Sequence, residues 1–125
     1  MRREFVDAVL EVAALIPAGR VLSYGDVAEL LGSGGARQVG RVMSLHGALV
    51  AWWRVIRADG TLPNELMGRA VGRYQRERTP LIIREAGHEP KVRMQLARWF
   101  PDDDDFDRIE DIRRKMSLPA DGMEP

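Results

Sequence analysis

Apolar residues in the first third of the chain recur at intervals of three and four. Phe5, Val9, Val12, Ala13 and Ile16 fall on one helical face, so the spacing predicts an amphipathic helix over about 3–16. Pro17-Ala18-Gly19 stops it, and Arg20-Val21-Leu22 reads as a short extended link. Ser23 then stands as an N-cap with Asp26 three residues on, an approximate capping box. It opens a second helix over about 24–31 that buries Val27, Leu30 and Leu31. Gly32-Ser33-Gly34-Gly35 is a turn that accommodates positive φ. A third helix over about 36–45 presents Val39, Val42 and Met43 inward and Arg37 and Arg41 outward. Two short helices joined by a Gly-rich turn, the second carrying arginines, form a helix-turn-helix pattern.

Further along, Asp59-Gly60 between apolar runs favours a tight turn and predicts a small β wing within residues 50–63. Residues 66–78 read as another helix, closed by Thr79-Pro80. Leu81-Ile82-Ile83 and about 89–98 are apolar but too short to assign. Residues 102–105 are four consecutive aspartates, read as a solvated linker and not as a metal site. After them Phe106, Ile109, Ile112 and Met116 recur at helical spacing, which predicts an amphipathic helix packed on the body. Tyr74 and Trp99 read as packing residues, and His46 and His88 lack metal-spaced partners. The expected fold is mostly α, a winged-helix-like helix-turn-helix domain with a small β wing. Its boundaries are 1–100 for the body and 101–125 for an acidic tail.

Composition adds a charge asymmetry. The net charge is zero, yet residues 1–100 carry 15 of the 19 Lys and Arg and 10 of the 19 Asp and Glu. The remaining residues hold 4 and 9, so a body of +5 is balanced by a tail of −5. Such a pattern is expected of proteins that bind nucleic acid or acidic partners. No apolar run approaches the roughly 18–20 residues that span a bilayer, and no secretory leader is evident, so the expected location is cytoplasmic. There is no cysteine, which removes disulfides, thiolate nucleophiles and Cys-based zinc sites together. No cofactor is expected.

Three segments carry a resemblance: Ile16-Pro17-Ala18-Gly19-Arg20-Val21 with Ser23-Tyr24-Gly25; Ala36-Arg37-Gln38-Val39-Gly40; and Trp52-Trp53-Arg54-Val55-Ile56 followed by a turn glycine. In order and spacing the chain from Phe5 to about Gly87 resembles the DNA-binding domain of O6-alkylguanine-DNA alkyltransferases. It is more closely similar to their non-enzymatic relatives, the alkyltransferase-like proteins. The active family reads Pro-Cys-His-Arg-Val at the third segment, with cysteine accepting the alkyl group. Here Trp52 stands at the cysteine position, as tryptophan commonly does in the alkyltransferase-like proteins. Ala51 replaces the proline and Trp53 the histidine, so nucleophile and activating base are both gone. The family's Asn-Pro segment before that motif is absent, and so is its Gly-Tyr-x-Gly-Gly stretch from 61–70.

The resemblance implies roles residue by residue. Tyr24 would press on the backbone beside the target nucleotide, and Arg37 would enter the duplex where a flipped base had been. The third helix, with Gln38 and Arg41, would lie in the minor groove. Trp52, Trp53 and Arg54 would line or cap the lesion pocket. The implied partner is double-stranded DNA with alkylated guanine, recognised by a monomer and handed to nucleotide excision repair proteins. Plainer roles compete: a solvated charge for Arg37 and Arg41, packing for Tyr24, core filling for Trp52 and Trp53, and a local structural tie for Arg54. Two other functions compete as well. A helix-turn-helix transcription regulator would use Arg37, Gln38 and Arg41 as major-groove readers, usually as a dimer. An enzyme with another nucleophile would need a base beside Ser23, Ser33 or Ser44, and no convincing one is near in sequence.

Overall fold

The computed structural model describes residues 1–63 and 65–117. Six helices and four two-residue strands follow in order: α1 (Arg3–Leu15), β1 (Leu22–Ser23), α2 (Tyr24–Leu31), α3 (Ala36–His46), β2 (Val55–Ile56), α4 (Leu66–Glu77), β3 (Leu81–Ile82), β4 (Lys91–Val92), α5 (Met94–Ala97) and α6 (Asp103–Ser117). Single 3₁₀ turns occupy Gly47–Leu49 and Trp52–Arg54. The last eight positions of the expected tail, 118–125, lie outside the described residues.

The capping box at Ser23 forms as the sequence predicts. Its hydroxyl accepts from the Asp26 amide at 3.0 Å, and Asp26 accepts from the Ser23 amide at 2.9 Å. Two orphan donors at the start of α2 are thereby satisfied, which fixes the direction in which Tyr24 leaves the strand. α2 and α3 pack across the Gly32–Gly35 turn as the expected helix-turn-helix pair.

Two apolar clusters make the core. One joins α1, α2, α3 and α6 through Phe5, Val9, Val12, Val27, Leu31, Val39, Val42, Ile109 and Ile112. The other gathers Val21, Ile56, Leu62, Met67, Ala70, Tyr74 and Val92 around α4 and β4. Trp52 packs against both. The clusters are sewn together by β1 and β2, which pair in parallel with Leu22 opposite Val55 and Ser23 opposite Ile56. Parallel pairing needs a long crossover, and α2 and α3 supply it.

Three sequence expectations need correction. The wing is not a hairpin within 50–63, because β2 is spent on β1 and Arg57–Thr61 is only a local turn. The antiparallel hairpin is instead β3 with β4, Leu81 opposite Val92 and Ile82 opposite Lys91, from segments whose shortness hid their pairing. Phe106 is 48% exposed, so the buried stripe of α6 begins at Ile109. The aspartate run is solvated but is no linker. Asp102 accepts from the Asp105 amide at 2.8 Å and Asp105 accepts from the Asp102 amide at 3.1 Å. Asp103 to Asp105 then fill the first turn of α6, where negative charge meets the positive end of the helix dipole.

Tyr74 and Trp99 are buried, as expected, and His88 is exposed. α6 lies along α1 and shares its core, so the body and this helix should unfold together. Ile109→Ala, at a position 2% exposed, is expected to cost about 2–4 kcal/mol. A single urea transition should shift for fluorescence and far-UV ellipticity alike. Loss of helicity without a change in tryptophan emission would show α6 to be an independent appendage.

Candidate nucleic-acid interface

The outward face of α3 carries Arg37, Gln38, Arg41 and Ser44, all exposed. Arg37, Arg41 and Ser44 follow one another at helical spacing and so form a single stripe. No acidic group among the described residues lies within ion-pair distance of Arg37 or Arg41. Gln38 is partly committed, since its Oε1 accepts from the Gly35 amide at 3.0 Å and completes the N-terminal box of α3. Its amide nitrogen remains available to a ligand.

The stripe runs down to a cavity of about 250 Å³ whose walls include Ser44, Gly40, Tyr24, Trp52, Leu66 and Arg69. Tyr24 is held there by its place at the start of α2, with Gly40 of α3 facing its ring; a Cβ at Gly40 would come within 3.5 Å of it. Burial pushes the Tyr24 phenol up from its ordinary pKa, and the Arg57 charge only partly offsets this. It therefore stays a neutral hydroxyl, able to donate or accept a hydrogen bond. Arg69 lies over the Trp52 ring at 5.6 Å from its centroid, which makes that wall both aromatic and cationic. Ser44 reaches the cavity, but no histidine among the described residues lines it, and the Ser23 hydroxyl is occupied by its cap.

Of the three residues expected to form a pocket, only Trp52 lines the cavity. The 3₁₀ turn sends its neighbour the other way: the rings of Trp52 and Trp53 meet edge to face, centroids 5.6 Å apart and planes at 89°. Trp53 and Arg54 both turn to Glu77 at the end of α4. The Glu77 carboxylate accepts from Trp53 Nε1 at 3.0 Å, from Arg54 Nε at 3.1 Å and Nη2 at 2.6 Å, and from the Gly19 amide at 3.1 Å. Arg54 Nη1 also donates to the Ile16 carbonyl at 2.9 Å, and the Tyr74 hydroxyl donates to the Trp53 carbonyl at 2.8 Å. Gly19 has φ +86, and a Cβ there would stand 2.9 Å from the Glu77 carbonyl oxygen; only glycine fits so close an approach. Arg73 stacks on the other side of the same cluster, 4.3 Å from the Trp53 centroid.

Sequence reading missed Arg57, Arg69, Arg73 and Glu77. The signal for three of them is visible afterwards: Arg69, Arg73 and Glu77 are four apart and share one face of α4. Arg57 carries no local signal, because only the pairing of β2 with β1 brings it beside Tyr24. Among the described residues there is no grouping of three or more potential metal ligands, and no helix long and apolar enough to cross a membrane.

Comparison with known proteins gives a consistent answer. Residues 4–82 match the family model described as the 6-O-methylguanine DNA methyltransferase DNA binding domain. The DNA base-flipping protein of Escherichia coli K12 is 36% identical over 100 residues, which are 76% of this chain and 74% of that protein. Alkyltransferase-like protein 1 of Schizosaccharomyces pombe is 42% identical over 62 residues, 47% of this chain and 57% of that one. The crystal structure of S. pombe Atl1 in complex with damaged DNA containing O6-carboxymethylguanine superimposes with a TM-score of 0.69. That match is at 30% identity and covers 81% of this chain and 100% of the other.

Burial pushes the Glu77 carboxyl up, but the hydrogen bonds from Arg54, Gly19 and Trp53 and the Arg54 charge outweigh it and hold the group below the usual glutamate range. A depressed folded value means that Glu77 stabilises the fold fully above the ordinary glutamate pKa. That contribution fades as pH falls through the depressed value. Glu77→Gln should therefore lower stability at neutral pH and flatten the acid limb of the stability curve below about pH 4.5. Denaturant midpoints from pH 3 to 7 would check this, and parallel curves for the two proteins would contradict it.

Proposed function

Because the chain belongs to the family of the 6-O-methylguanine DNA methyltransferase DNA-binding domain, we propose that it binds duplex DNA and captures O6-alkylguanine without accepting the alkyl group. The carrying observation is the cavity at the foot of α3, walled by Tyr24, Trp52 and Arg69 and continuous with the Arg37–Arg41 stripe. In this reading α3 enters the minor groove and Arg37 fills the space left by the extruded base. Tyr24 turns the nucleotide outward, and the base comes to rest against Trp52. Extrusion costs a few kcal/mol for a sound pair and less for a badly paired alkylated one, which is one source of selectivity. Arg41 and the amide of Gln38 hold the backbone. A monomer suffices, since one helix and one cavity serve one lesion.

The likeness to a base-flipping protein and to Atl1 on damaged DNA supports this reading. The chemistry of the site supports the absence of transfer. There is no thiol in the chain, and the indole of Trp53, a hydrogen-bond donor to Glu77, has no basic nitrogen with which to activate a nucleophile. A complex that persists without repair is useful as a signal, and nucleotide excision repair is the process we propose it alerts. Trp53 and Arg54 act in this scheme from behind the wall, by holding the turn that aims Trp52.

Titrating one duplex with and without a single O6-methylguanine, at two salt concentrations, tests the proposal. Both affinities should fall with salt while their ratio largely persists. Equal affinity for the two duplexes would favour the transcription-regulator reading. Arg37→Ala is expected to weaken binding to the lesion duplex by about 1–3 kcal/mol, the scale of a charge-assisted contact; unchanged affinity in the folded variant would remove its assigned role. Trp52→Cys should not confer transfer, because an unperturbed thiol with a pKa of about 8.5 is mostly protonated near neutral pH. Duplex carrying radiolabelled O6-methylguanine should leave no stoichiometric label on that variant. Rapid labelling would mean that the cavity activates a thiol unaided.

A further inference from the structure

Arg57 is exposed, and no acidic group among the described residues lies within ion-pair distance of it. An unpaired surface arginine on a floppy loop would mean little, but the turn that carries this one is stiff. The Arg57 amide donates to the Thr61 carbonyl at 2.9 Å, and the Gly60 amide donates to the Arg57 carbonyl at 3.0 Å. Asp59 accepts from both the amide and the hydroxyl of Thr61, at 3.0 and 2.6 Å. The turn is pinned to β4 as well, since the Val92 amide donates to the Gly60 carbonyl at 2.9 Å. Gly60 sits at φ +88 with the Val92 carbonyl oxygen where a Cβ would be, so no other residue fits the turn without moving the strand.

The direction of the turn is set by the parallel ladder. Leu22 pairs with Val55 and Ser23 with Ile56, so the next residues along each strand, Tyr24 and Arg57, leave side by side. Their proximity has an independent mark: the Arg57 charge favours ionisation of the Tyr24 phenol. Tyr24 forms part of the cavity wall, and its hydroxyl has no hydrogen-bond partner among the described residues. A free phenol beside an unpaired guanidinium carried on a pinned turn offers a donor and a cation to one anionic oxygen group. The ammonium of Lys91 is close enough to act on Asp59 together with Arg57, so the neighbourhood is basic apart from the carboxylate that Thr61 occupies.

We propose that Arg57 and the Tyr24 hydroxyl form a phosphate clasp at the cavity mouth that grips a backbone phosphodiester of the strand holding the extruded nucleotide. The proposal rests on the DNA-binding reading above. It adds a second anchor apart from α3, so that the strand is gripped on both sides of the cavity while the base turns. The rigidity of the 57–61 turn matters because an arginine whose backbone is already placed has less freedom to lose on meeting its phosphate.

The test combines salt dependence with neutral linkages. Each phosphate neutralised contributes close to one unit to the slope of log affinity against log salt. Arg57→Ala should lower that slope by about one, whereas Arg57→Lys should keep most of it. A lesion duplex set with one methylphosphonate at successive linkages should then show, for the wild-type chain, a position near the lesion where neutralisation weakens binding about 3-fold or more. In Arg57→Ala that sensitivity should disappear while sensitivity elsewhere is retained. An unchanged slope in Arg57→Ala, or a methylphosphonate pattern identical to wild type, would overturn the clasp. Failure of the wild-type chain to bind either duplex would instead overturn the DNA-binding reading, so the two outcomes are separable.

Discussion

One carboxylate holds together the parts on which the site depends. Glu77, at the end of α4, collects hydrogen bonds from two segments distant in sequence, the loop after α1 and the 52–54 turn, and the Arg54 of that turn adds a paired charge. Only 13% of the Glu77 side chain and 19% of the Arg54 side chain remain exposed. A nearly buried ion pair is worth its desolvation only when the remaining lone pairs and protons are satisfied, and here they are. Arg54 spends its third contact on the carbonyl of Ile16, the residue that caps the end of α1. Without this knot, Trp52 would be a tryptophan on a free loop between two apolar clusters. With it, the indole is a fixed partition that both clusters share.

That arrangement explains which parts of the molecule were legible in the sequence. α1 to α4 and the Ser23–Asp26 box follow from local periodicity and local hydrogen bonding, and they form where the residues predict. The wing did not follow, because each of its strands is two residues long and their pairing depends on chain ends brought together from elsewhere. The resemblance grouped Trp52, Trp53 and Arg54 at one pocket, beside the plainer readings of core filling for the two indoles and a local tie for Arg54. A 3₁₀ turn is enough to point consecutive side chains to different neighbours: Trp52 lines the cavity, whereas Trp53 and Arg54 turn to Glu77. Glu77 lies 58 residues from Gly19 and 24 from Trp53, and no pattern within one segment announces such a meeting. Phe106 erred in the other direction: it has the right period for the core, but it stands one turn before α6 reaches α1.

The cavity owes its character to the same division of labour. Its apolar walls come from residues that also belong to the core, Trp52 and Val55 among them. Its polar groups come from α2, α3 and α4, each held by its own helix. A ligand entering it would meet surfaces that are already in place. Preorganisation of this kind lowers the cost of ordering side chains on binding, and it suits a site asked to discriminate by fit and by stacking.

The reciprocal cap at Asp102 and Asp105 fixes more than the start of a helix. It pins a block of negative charge at one end of α6, near Trp99 and Phe100, while the basic last turn of that helix runs back toward the Gly32 turn, where Arg113 lies 3.3 Å from the position of a Gly32 Cβ. α6 thus carries opposite charge at its two ends. In the uneven field around a nucleic acid, such a separation of charge along one helix feels a torque. That torque would favour approaches in which the acidic first turn of α6 points away from the phosphates.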